Sequence, residues 1–379
     1  MAIQAAKAIV VGAGIGGLAA AIALRRAGPD VEIFERAGEL HEVGAGISLW
    51  ANALHALDQL GLSETVRSFA APYAIAGLRT WNGAILTSQS PGLERRFGVL
   101  CIVMHRAELV DALLQAFGPG RVHLGSHCER FQQDASGVTA EFADGRSVRG
   151  EILIGADGLH SIVRSQVHGP QQPRYAGYTS WRGVVAFDPD RVRASESWGY
   201  GARFGQVPMR GGRVYWFATQ NTAPGGQAGN EKAHLLRLFR GWHEPIEALI
   251  EGTERLMILR NDIYDRPPLE RWGEGRVTLL GDAAHPMTPN LGQGACQALE
   301  DAVVLARCLK EAADPAAALR RYESERMPRA NMVVTQSRRV GWLGQLQRPG
   351  AVRLRNVLMR RISPRVQERA LERVVGYRV

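Results

Sequence analysis

One glycine-rich stretch near the start of the chain, residues 7–36, restricts the fold more than any other segment. It reads "KAIVVGAGIGGLAAAIALRRAGPDVEIFER" and begins with a short β-rich run. Three glycines then follow in GxGxxG spacing, and an alanine-rich helical segment leads into a second apolar strand that ends at Glu35. Strand, glycine turn, helix, strand and terminal acid in this order predict the β-α-β unit that binds a dinucleotide.

Each residue type in this unit has a physical role. Gly12 permits the tight turn, Gly14 lets the backbone approach a pyrophosphate, and Gly17 lets the helix pack on the sheet. The helix amino terminus presents free amide donors and a partial positive charge to the phosphates. Glu35 is placed to accept hydrogen bonds from a ribose, and Arg36 lies either along the adenosine or at the surface. The unit alone leaves NAD and FAD open.

Length and cysteine usage limit the class of protein. At 379 residues the chain exceeds the usual size of a single core, so we expect one large domain or two interlocked ones. No run approaches the roughly 20 apolar residues of a membrane span, and we expect no integral membrane contact. The four cysteines form no CxxC pair, which predicts no metal site, no disulfide framework and a reducing cytoplasm.

The positive charge is concentrated at one end of the chain. Residues 320–379 contain 15 arginines, 4 glutamates and no lysine, and exceed by themselves the net charge of +9 of the whole chain. This distribution does not predict a nucleic-acid partner. It predicts a solvated tail of two or three amphipathic helices interrupted at Pro349 and Pro364, or a tail that meets an acidic partner or a membrane surface.

A second glycine-bearing segment, "RVTLLGDAAHPMTPNLGQGACQALEDAVVL", lies far along the chain. It predicts a buried strand that ends near Asp282, a loop over residues 286–294 and a helix from Ala295 onward. Gly292 and Gly294 would let the loop backbone lie against a flat ring. The helix amino terminus would stabilise negative charge near the pyrimidine carbonyl of a reduced flavin. His285 either contributes to a proton path or caps and packs the loop.

Three separated stretches together define a resemblance: "GAGIGGLAAAIAL…FER", "GADGLHSIVR" and "GDAAHPMTPNLGQGACQALEDAVVL". In order and spacing they are similar to the single-component FAD-dependent aromatic hydroxylases, the group A flavoprotein monooxygenases that include the p-hydroxybenzoate, salicylate and urate hydroxylases. The resemblance extends from residue 7 to about residue 330.

The resemblance implies an α/β fold: a Rossmann-like FAD-binding domain, an inserted antiparallel-sheet substrate domain and a C-terminal helical tail. The short aromatic β-rich runs from about Tyr175 suit the inserted sheet. We assign residues 1–70, 98–174 and 275–330 to the FAD-binding domain, 71–97 and 175–274 to the substrate domain, and 331–379 to the helical segment.

The resemblance also implies the cofactor contacts. The ADP part of a noncovalent FAD would be held by Gly12, Gly14, Gly17 and Glu35. The remaining positions that match the family's cofactor contacts are Ser48, Arg106, Cys128, Asp157, Asp282, Gly292, Gln293, Gly294, Ala295 and Cys296. Within this set, Cys128 would meet the adenine through its backbone, Asp157 would contribute to both FAD and reduced nicotinamide binding, and residues 292–296 would line the isoalloxazine.

For the substrate the resemblance is less detailed. In the urate branch an arginine and a tyrosine flank the substrate, and "ARFGQVPMRGGRVYWF" supplies Arg203 and Tyr215 at the same separation. The same pattern also suits a plain sheet. The polar residue that this branch uses near "YTSWRG" is not clearly reproduced, and Arg182 is a further candidate for the pocket.

The implied reaction is reduction of FAD by NAD(P)H, addition of O2 at flavin carbon 4a to give the hydroperoxide, and hydroxylation of a small aromatic or heteroaromatic molecule. Because only one glycine fingerprint is present, NAD(P)H would bind transiently. The alternatives are an epoxidase or an oxidase or reductase of the same fold, and a flavin-binding protein without catalysis. Either a monomer or a homodimer suits the sequence.

Overall fold

The computed structural model describes residues 7–40, 45–72, 77–87, 92–226 and 228–379. The remaining positions of the predicted domain ranges lie outside the described residues. The strands are β1 (Lys7–Val11), β2 (Asp30–Phe34), β3 (Gly46–Trp50), β4 (Ala71–Pro72), β5 (Leu78–Thr80), β6 (Ile85–Thr87), β7 (Cys101–His105), β8 (Val122–His123), β9 (Cys128–Gln133), β10 (Val138–Phe142), β11 (Ser147–Gly150), β12 (Ile152–Gly155), β13 (Arg174–Ala186), β14 (Ser195–Trp198), β15 (Ala202–Met209), β16 (Arg213–Asn221), β17 (Leu259–Asp265) and β18 (Val277–Leu279). The helices are α1 (Ile15–Ala27), α2 (Ala51–Gln59), α3 (Ser63–Phe69), α4 (Gly92–Phe97), α5 (Arg106–Phe117), α6 (Ile162–His168), α7 (Glu231–Leu238), α8 (Ile246–Gly252), α9 (Gly294–Glu311), α10 (Pro315–Gly344), α11 (Pro349–Arg361) and α12 (Pro364–Val375).

A five-stranded sheet carries the dinucleotide-binding unit. Its order is β18-β12-β1-β2-β8, and every neighbouring pair is parallel. Strands β1, β12 and β18 are almost entirely buried, as expected for parallel strands covered on both faces. Their carboxyl ends meet at one edge of the sheet, which is where ligands bind in folds of this kind.

Helices α1 and α9 lie side by side above that edge. A methyl group added at Gly16 would stand 2.8 Å from a Leu280 side-chain carbon and 3.2 Å from the Ala298 Cβ, so α1, α9 and the end of β18 are in close contact. Small residues at this point bring the amino termini of the two helices to the same region of the sheet edge.

A seven-stranded sheet forms a second layer, in the order β17-β13-β16-β15-β14-β5-β6. One of its faces is apolar and packs on α7 and α8 through residues such as Trp181, Phe204, Trp216 and Phe239. Because neighbouring side chains alternate between faces, Arg182, Arg203, Tyr215 and Phe217 share the opposite face. That face contacts the loop after β18 and strand β3 through residues described below.

The C-terminal part is helical, and α10, α11 and α12 each begin at a proline, as Pro fits the first turn of a helix. The boundary that the sequence suggested after residue 330 falls inside α10, which runs through Pro328 without ending. The division of the chain at residue 330 stays a prediction. Among the residues that the structure describes, no helix is long and apolar enough to cross a membrane.

Candidate active site

The glycine turn after β1 is required by the backbone itself. Gly12 has φ +106°, a conformation that disfavours side chains, and a Cβ there would lie 2.4 Å from the Ala156 oxygen. A Cβ on Gly17 would lie 1.9 Å from the Gly12 oxygen, so α1 packs directly on the turn. A Cβ on Gly14 would meet nothing within 4 Å. Gly12 and Gly17 therefore shape the turn, while Gly14 leaves the space above it open.

Glu35 is held against this turn. One oxygen of its carboxylate accepts a hydrogen bond from the Ala13 amide at 2.8 Å, and the other accepts one from the Ala37 amide at 2.9 Å. Strand β2 thus places an acceptor beside the turn, as the position of Glu35 in the sequence predicts.

One cavity brings together six of the predicted cofactor residues. It lies at the carboxyl ends of β1, β2 and β12, and Gly17 is not part of its lining. The lining includes Gly12, Gly14, Glu35, Arg36, Cys128 and Asp157, together with Ser126, His127 and His160. Cys128 stays a neutral thiol, because burial raises its pKa to about 12.

Asp157 has a structural role in addition to the predicted one. Its carboxylate accepts hydrogen bonds from the Ser161 hydroxyl at 2.5 Å and from the Ile162 amide at 2.8 Å, at the start of α6. Burial raises the pKa of Asp157, and these hydrogen bonds act in the opposite direction. One side of the carboxyl group still faces the cavity.

The second group of predicted cofactor residues lies around the amino terminus of α9. The Cys296 thiol contacts the backbone oxygens of Ser48, at 3.8 Å, and Gly292, at 3.5 Å. A Cβ on Gly294 would lie 3.8 Å from an Asp282 carboxylate oxygen, which places that acid beside the first turn of α9. Strand β3, the loop and α9 thus form one continuous surface, with Ala295 half-buried at its centre.

Asp282 is exposed in the loop's first turn, although protein atoms crowd its carboxyl group. Burial raises the pKa of its carboxyl group, while the nearby charges of His285 and Arg106 lower it. Arg106, the first residue of α5, is therefore close enough to Asp282 to act on it electrostatically, although the two positions are far apart in the sequence.

Two positions of the loop have structural roles in addition to the predicted ones. Gly292 has φ +59°, and a Cβ there would lie 3.1 Å from the Trp50 indole nitrogen, so its own backbone and its neighbour already require glycine. Gln293 is 1% exposed, and its side chain accepts a hydrogen bond from Asn52 at 2.9 Å. Only the backbone of Gln293 is therefore available to a flavin ring.

Both helix amino termini at this edge are free of side-chain caps. Neither Gly14 nor Gln293 caps its helix, and the first turns of α1 and α9, both within the described residues, contain no acid. The first amides of a helix have no partner inside it, so each terminus can bind an anionic group. With the open space above Gly14, this arrangement fits FAD, whose pyrophosphate would be held at α1 and whose ring would lie near α9.

A buried network of charged residues lies beneath the loop that follows β18 and stabilises it. Arg326 donates to Asp301 at 2.7 Å and to Glu300 at 2.5 Å, and all three side chains are fully buried. His285 bonds Asp301 at 2.6 Å, and Asn52 donates to Glu300 at 2.5 Å. These contacts join the loop, α2, α9 and α10. They give His285 a structural role in holding the loop, and its place on a proton path stays a prediction.

Glu300, Asp301 and Arg326 are not among the site residues that the sequence motifs predict. A signal was present, because "ACQALEDAVVLARCL" places two adjacent acids in an otherwise apolar helix. Buried carboxylates need a cation or hydrogen-bond donors, so this pair predicts a buried basic partner. The sequence does not identify which of the many arginines supplies it.

The network should make the protein sensitive to acid. Burial alone would raise the pKa of Asp301, but His285 and Arg326 outweigh it and hold that pKa at about 2, below the usual 3.8. A lowered carboxylate pKa stabilises the fold above the unfolded-state value, and this stabilisation, about 2 kcal/mol, is lost as the pH falls from about 4 to about 2.

Unfolding of the wild-type protein and of Asp301→Asn by urea, measured over this pH range, tests the effect. The difference in stability between the two should shrink as the pH falls. Asp58→Asn, at an exposed carboxylate, serves as the control and should show no such trend. A difference that is independent of pH would contradict the role given to Asp301.

Tyr215 and Arg182 lie on the face of the seven-stranded sheet that contacts strand β3. The Tyr215 ring lies on strand β3, where a Cβ on Gly46 would come within 2.3 Å of the ring. Burial raises the pKa of Tyr215, and the charges of Arg182 and Arg106 lower it. Arg182 donates to Asn261 at 2.6 Å, while its Nε is buried without a partner among the described residues.

Arg203 lies elsewhere on the same face and is engaged by protein groups. It donates to Asn290 at 2.7 Å, to Gln345 at 3.0 Å and to Glu196 at 3.1 Å. Its cross-strand partner is Thr219, four residues from Tyr215, so the two predicted substrate residues are separated by about 13 Å along the strand. Arg203 joins the sheet to the loop and α10, and a direct contact with substrate stays a prediction.

The parallel sheet with its glycine turn and the two uncapped helix termini together form a dinucleotide-binding fold that suits FAD.

Comparison with known proteins gives the family. The chain matches the FAD binding domain family over residues 5–337 and belongs to that family. It is 46% identical over 366 residues to the aurachin C monooxygenase/isomerase of Stigmatella aurantiaca, with 94% of each chain covered. It is 40% identical over 344 residues to an FAD-dependent urate hydroxylase of Klebsiella pneumoniae, covering 88% of this chain and 89% of the relative.

Comparison with solved structures shows a close similarity of the fold as well. The crystal structure of Klebsiella pneumoniae HpxO complexed with FAD and uric acid matches with a TM-score of 0.91 and 35% identity, over 98% of this chain and 97% of that one. The predicted family, the fold class and FAD as the cofactor are thereby confirmed, and the chain is an FAD-dependent monooxygenase. The individual site residues stay predictions.

Proposed function

We propose that this FAD-dependent monooxygenase hydroxylates a small aromatic or heteroaromatic compound that carries an ionisable oxygen on its ring. NAD(P)H would serve as the reductant and O2 as the oxidant. The observation that carries the proposal is the position of Tyr215 and Arg182 on one face of the seven-stranded sheet, with Arg106 at the start of α5 close enough to act on Tyr215. The charges that act on Tyr215 are those of Arg182 and Arg106, and no acid is among them. These two cations and the tyrosine hydroxyl favour a substrate whose ring carries a negative charge.

Tyr215 is the proposed hydrogen-bond donor to the substrate oxygen. Its hydroxyl has no partner among the described residues, and burial keeps its pKa above the usual value, so it carries its proton at neutral pH. Arg182 would bind the same oxygen through its buried Nε, which lacks a partner within the described part of the chain. An unpaired buried donor is costly, and a bound anion would satisfy it.

FAD, once bound and reduced, supplies the activation of O2 for transfer of one oxygen atom to the ring. The chain's own contribution is to hold the ring and to exclude water. Tyr215 and Arg182 would fix the substrate oxygen, and the apolar Phe217 and Val184 on the same sheet face would cover the ring. A phenolate-like oxygen held this way raises the electron density of the ring, which favours hydroxylation.

The relatives support the substrate class in general terms. Besides those named for aurachin C and urate, a 3-amino-4-hydroxybenzoate 2-monooxygenase of Streptomyces cremeus is 36% identical over 340 residues. We propose that this chain likewise takes a ring with an acidic oxygen. The proposal includes a cytoplasmic location, since all four cysteines are free thiols, and a monomeric or homodimeric state.

The assay follows oxidation of NADH and of NADPH in air with a panel of hydroxybenzoates, phenols, urate and hydroxyquinolines. The expected result is ring-stimulated oxidation and a hydroxylated product that carries one atom from labelled O2. Flavin reduction by an alcohol or amine without NAD(P)H would instead indicate an oxidase. A bound flavin that is reduced neither by NAD(P)H nor by any other compound tested would indicate a flavin-binding protein without catalysis.

Tyr215→Phe tests the site itself. Loss of a hydrogen bond to a charged oxygen should lower kcat/KM by at least about 10-fold, while the flavin spectrum stays unchanged. Tyr200→Phe, at a tyrosine 47% exposed on the surface, is the matched control and should leave kcat/KM as in the wild type. Equal activity of the two variants would remove Tyr215 from the site.

A further inference from the structure

The outward side of α11 and α12 combines arginines with large aliphatic side chains. We call this the tail surface: Arg353, Leu354, Val357, Leu358, Arg360, Arg361, Ile362, Arg365, Val366, Arg369 and Arg373. Its five aliphatic residues are between 40% and 60% exposed, and every residue from Arg360 to Val366 is exposed. Leu354, Val357, Leu358 and Arg361 follow the spacing of one helix face. Isolated exposed aliphatics are common, but this concentration marks an interaction surface.

The inner side of both helices fixes the tail surface in place. Arg355 is buried and donates to the backbone oxygens of Gly344 and Gly199, both at 3.3 Å, while Val352 and Met359 pack inward. At the other end Val374 and Val375 are buried. The outward face therefore cannot turn inward to hide its aliphatic residues without breaking these contacts.

The acids of this region are turned away from the tail surface. Only two acids occur between residues 349 and 379, Glu368 and Glu372. Glu372 pairs with Arg96 of α4, and a Cβ on Gly92 would lie 2.6 Å from a Glu368 oxygen. Both carboxylates thus face α4. Among the residues that the structure describes, none of the six arginines of the tail surface forms an ion pair with an acid, and all six are exposed, so their charge is directed outward.

This combination selects among partners. A second copy of the chain in a two-fold dimer would place these arginines against their own copies, which is unfavourable. Nucleic acid would use the arginines but gains from stacking on aromatic rings, and the tail surface contains none. A bilayer with anionic headgroups uses both components, because aliphatic side chains enter the interface while arginines meet the headgroups.

We propose that the tail surface docks the enzyme on the surface of an anionic lipid bilayer, as a peripheral contact and not a span. The aliphatic residues would enter the headgroup and acyl boundary, and the arginines would supply most of the salt-dependent attraction. This inference does not depend on the identity of the hydroxylated substrate.

Sedimentation of the full-length, FAD-loaded protein with vesicles tests the proposal. Protein should sediment with vesicles that contain phosphatidylglycerol and not with vesicles of phosphatidylcholine alone. The bound fraction should fall as salt is added, because the attraction is between exposed charges. Absence of binding to phosphatidylglycerol vesicles, or equal binding to both kinds, would overturn the proposal.

Paired variants separate the two components. Arg360→Gln/Arg361→Gln should bind about 30-fold more weakly, at about 1 kcal/mol for each arginine near the surface, whereas Arg237→Gln/Arg240→Gln, at two exposed arginines on and after α7, should bind as the wild type does. Leu354→Ser/Leu358→Ser keeps the charge, and its binding to the vesicles should be at least about 10-fold weaker than that of the wild type. All of these positions are exposed, and an unchanged flavin spectrum verifies folding.

The same variants distinguish a bilayer from other acidic partners. Arg360→Lys/Arg361→Lys should retain most of the vesicle binding, since a bilayer responds to charge and not to the planar geometry of arginine. Vesicle binding that is insensitive to the leucine pair, or binding to a DNA oligonucleotide that exceeds binding to the vesicles, would contradict the assignment.

Discussion

Replacing Arg326 by methionine should lower the free energy of unfolding by about 3–5 kcal/mol, the usual cost of removing one partner from a buried ion pair. Arg326 is 0% exposed and bridges the equally buried Glu300 and Asp301. Methionine fills much of the aliphatic volume but supplies no charge, so two carboxylates lose their shared cation. Urea unfolding of the FAD-loaded protein, followed by far-UV circular dichroism, measures the change.

The control is Arg321→Met on the same helix. Arg321 is exposed and pairs with Glu311 and Glu325 at the surface, so its loss should leave the unfolding midpoint almost unchanged. The cause can be separated from loss of volume by the triple variant Arg326→Met/Glu300→Gln/Asp301→Asn. Neutral amides in place of the carboxylates should restore a substantial part of the stability. A triple variant no more stable than the single one would show that the buried charge is not responsible.

The loop after β18 should respond to the same change. The carboxylate of Asp301 also accepts from the Gly281 amide at 3.1 Å, and Gln297 joins Arg326 to Gln293 at the start of α9. Without Arg326 these contacts lose their fixed geometry. We therefore expect the remaining folded Arg326→Met protein to release FAD more readily, in a dilution assay, than Arg321→Met does.

The parts of the fold that the sequence predicts well are those set by local chemistry. The turn at Gly12, the helix that follows it and Glu35 at the end of β2 are encoded within 30 neighbouring residues. The helix starts at Pro349 and Pro364 follow from the fixed φ of proline and its missing amide hydrogen. Pro328 shows the limit of this rule, because packing of α10 carries the helix through it.

The parts that escape prediction depend on contacts between distant segments. The sequence brings Arg203 and Tyr215 together as a pair, but the register of β15 against β16 determines that Arg203 lies beside Thr219 and not beside Tyr215. The partner of Asp301 is 25 residues away on another helix. Neither the strand register nor the choice among many arginines is visible in one sequence, because both are set by tertiary packing.

The glycine turn gives the second large effect. Gly14→Val should weaken FAD binding by more than about 100-fold while the fold is retained. Gly14 has φ −71° and ψ −179°, a backbone conformation open to any residue, and a Cβ there would meet no protein atom within 4 Å. The valine side chain would occupy the space through which a pyrophosphate approaches the first amides of α1. Loss of two hydrogen bonds to a charged group corresponds to about 3–6 kcal/mol.

Equilibrium dialysis with FAD, together with circular dichroism of the apoprotein, measures affinity and folding separately. Gly17→Ala is the comparison, because its added carbon would lie 1.9 Å from the Gly12 oxygen. That variant should lose stability with or without FAD, whereas Gly14→Val should lose only the FAD-dependent part. If Gly14→Val purified with a full complement of flavin, the pyrophosphate would not lie at the amino terminus of α1, and the placement of the flavin ring at α9 would lose its support as well. Gly14 and Gly17 are three positions apart, yet the space beside Gly17 is filled by protein, whereas the space beside Gly14 is open and is the proposed path of the pyrophosphate.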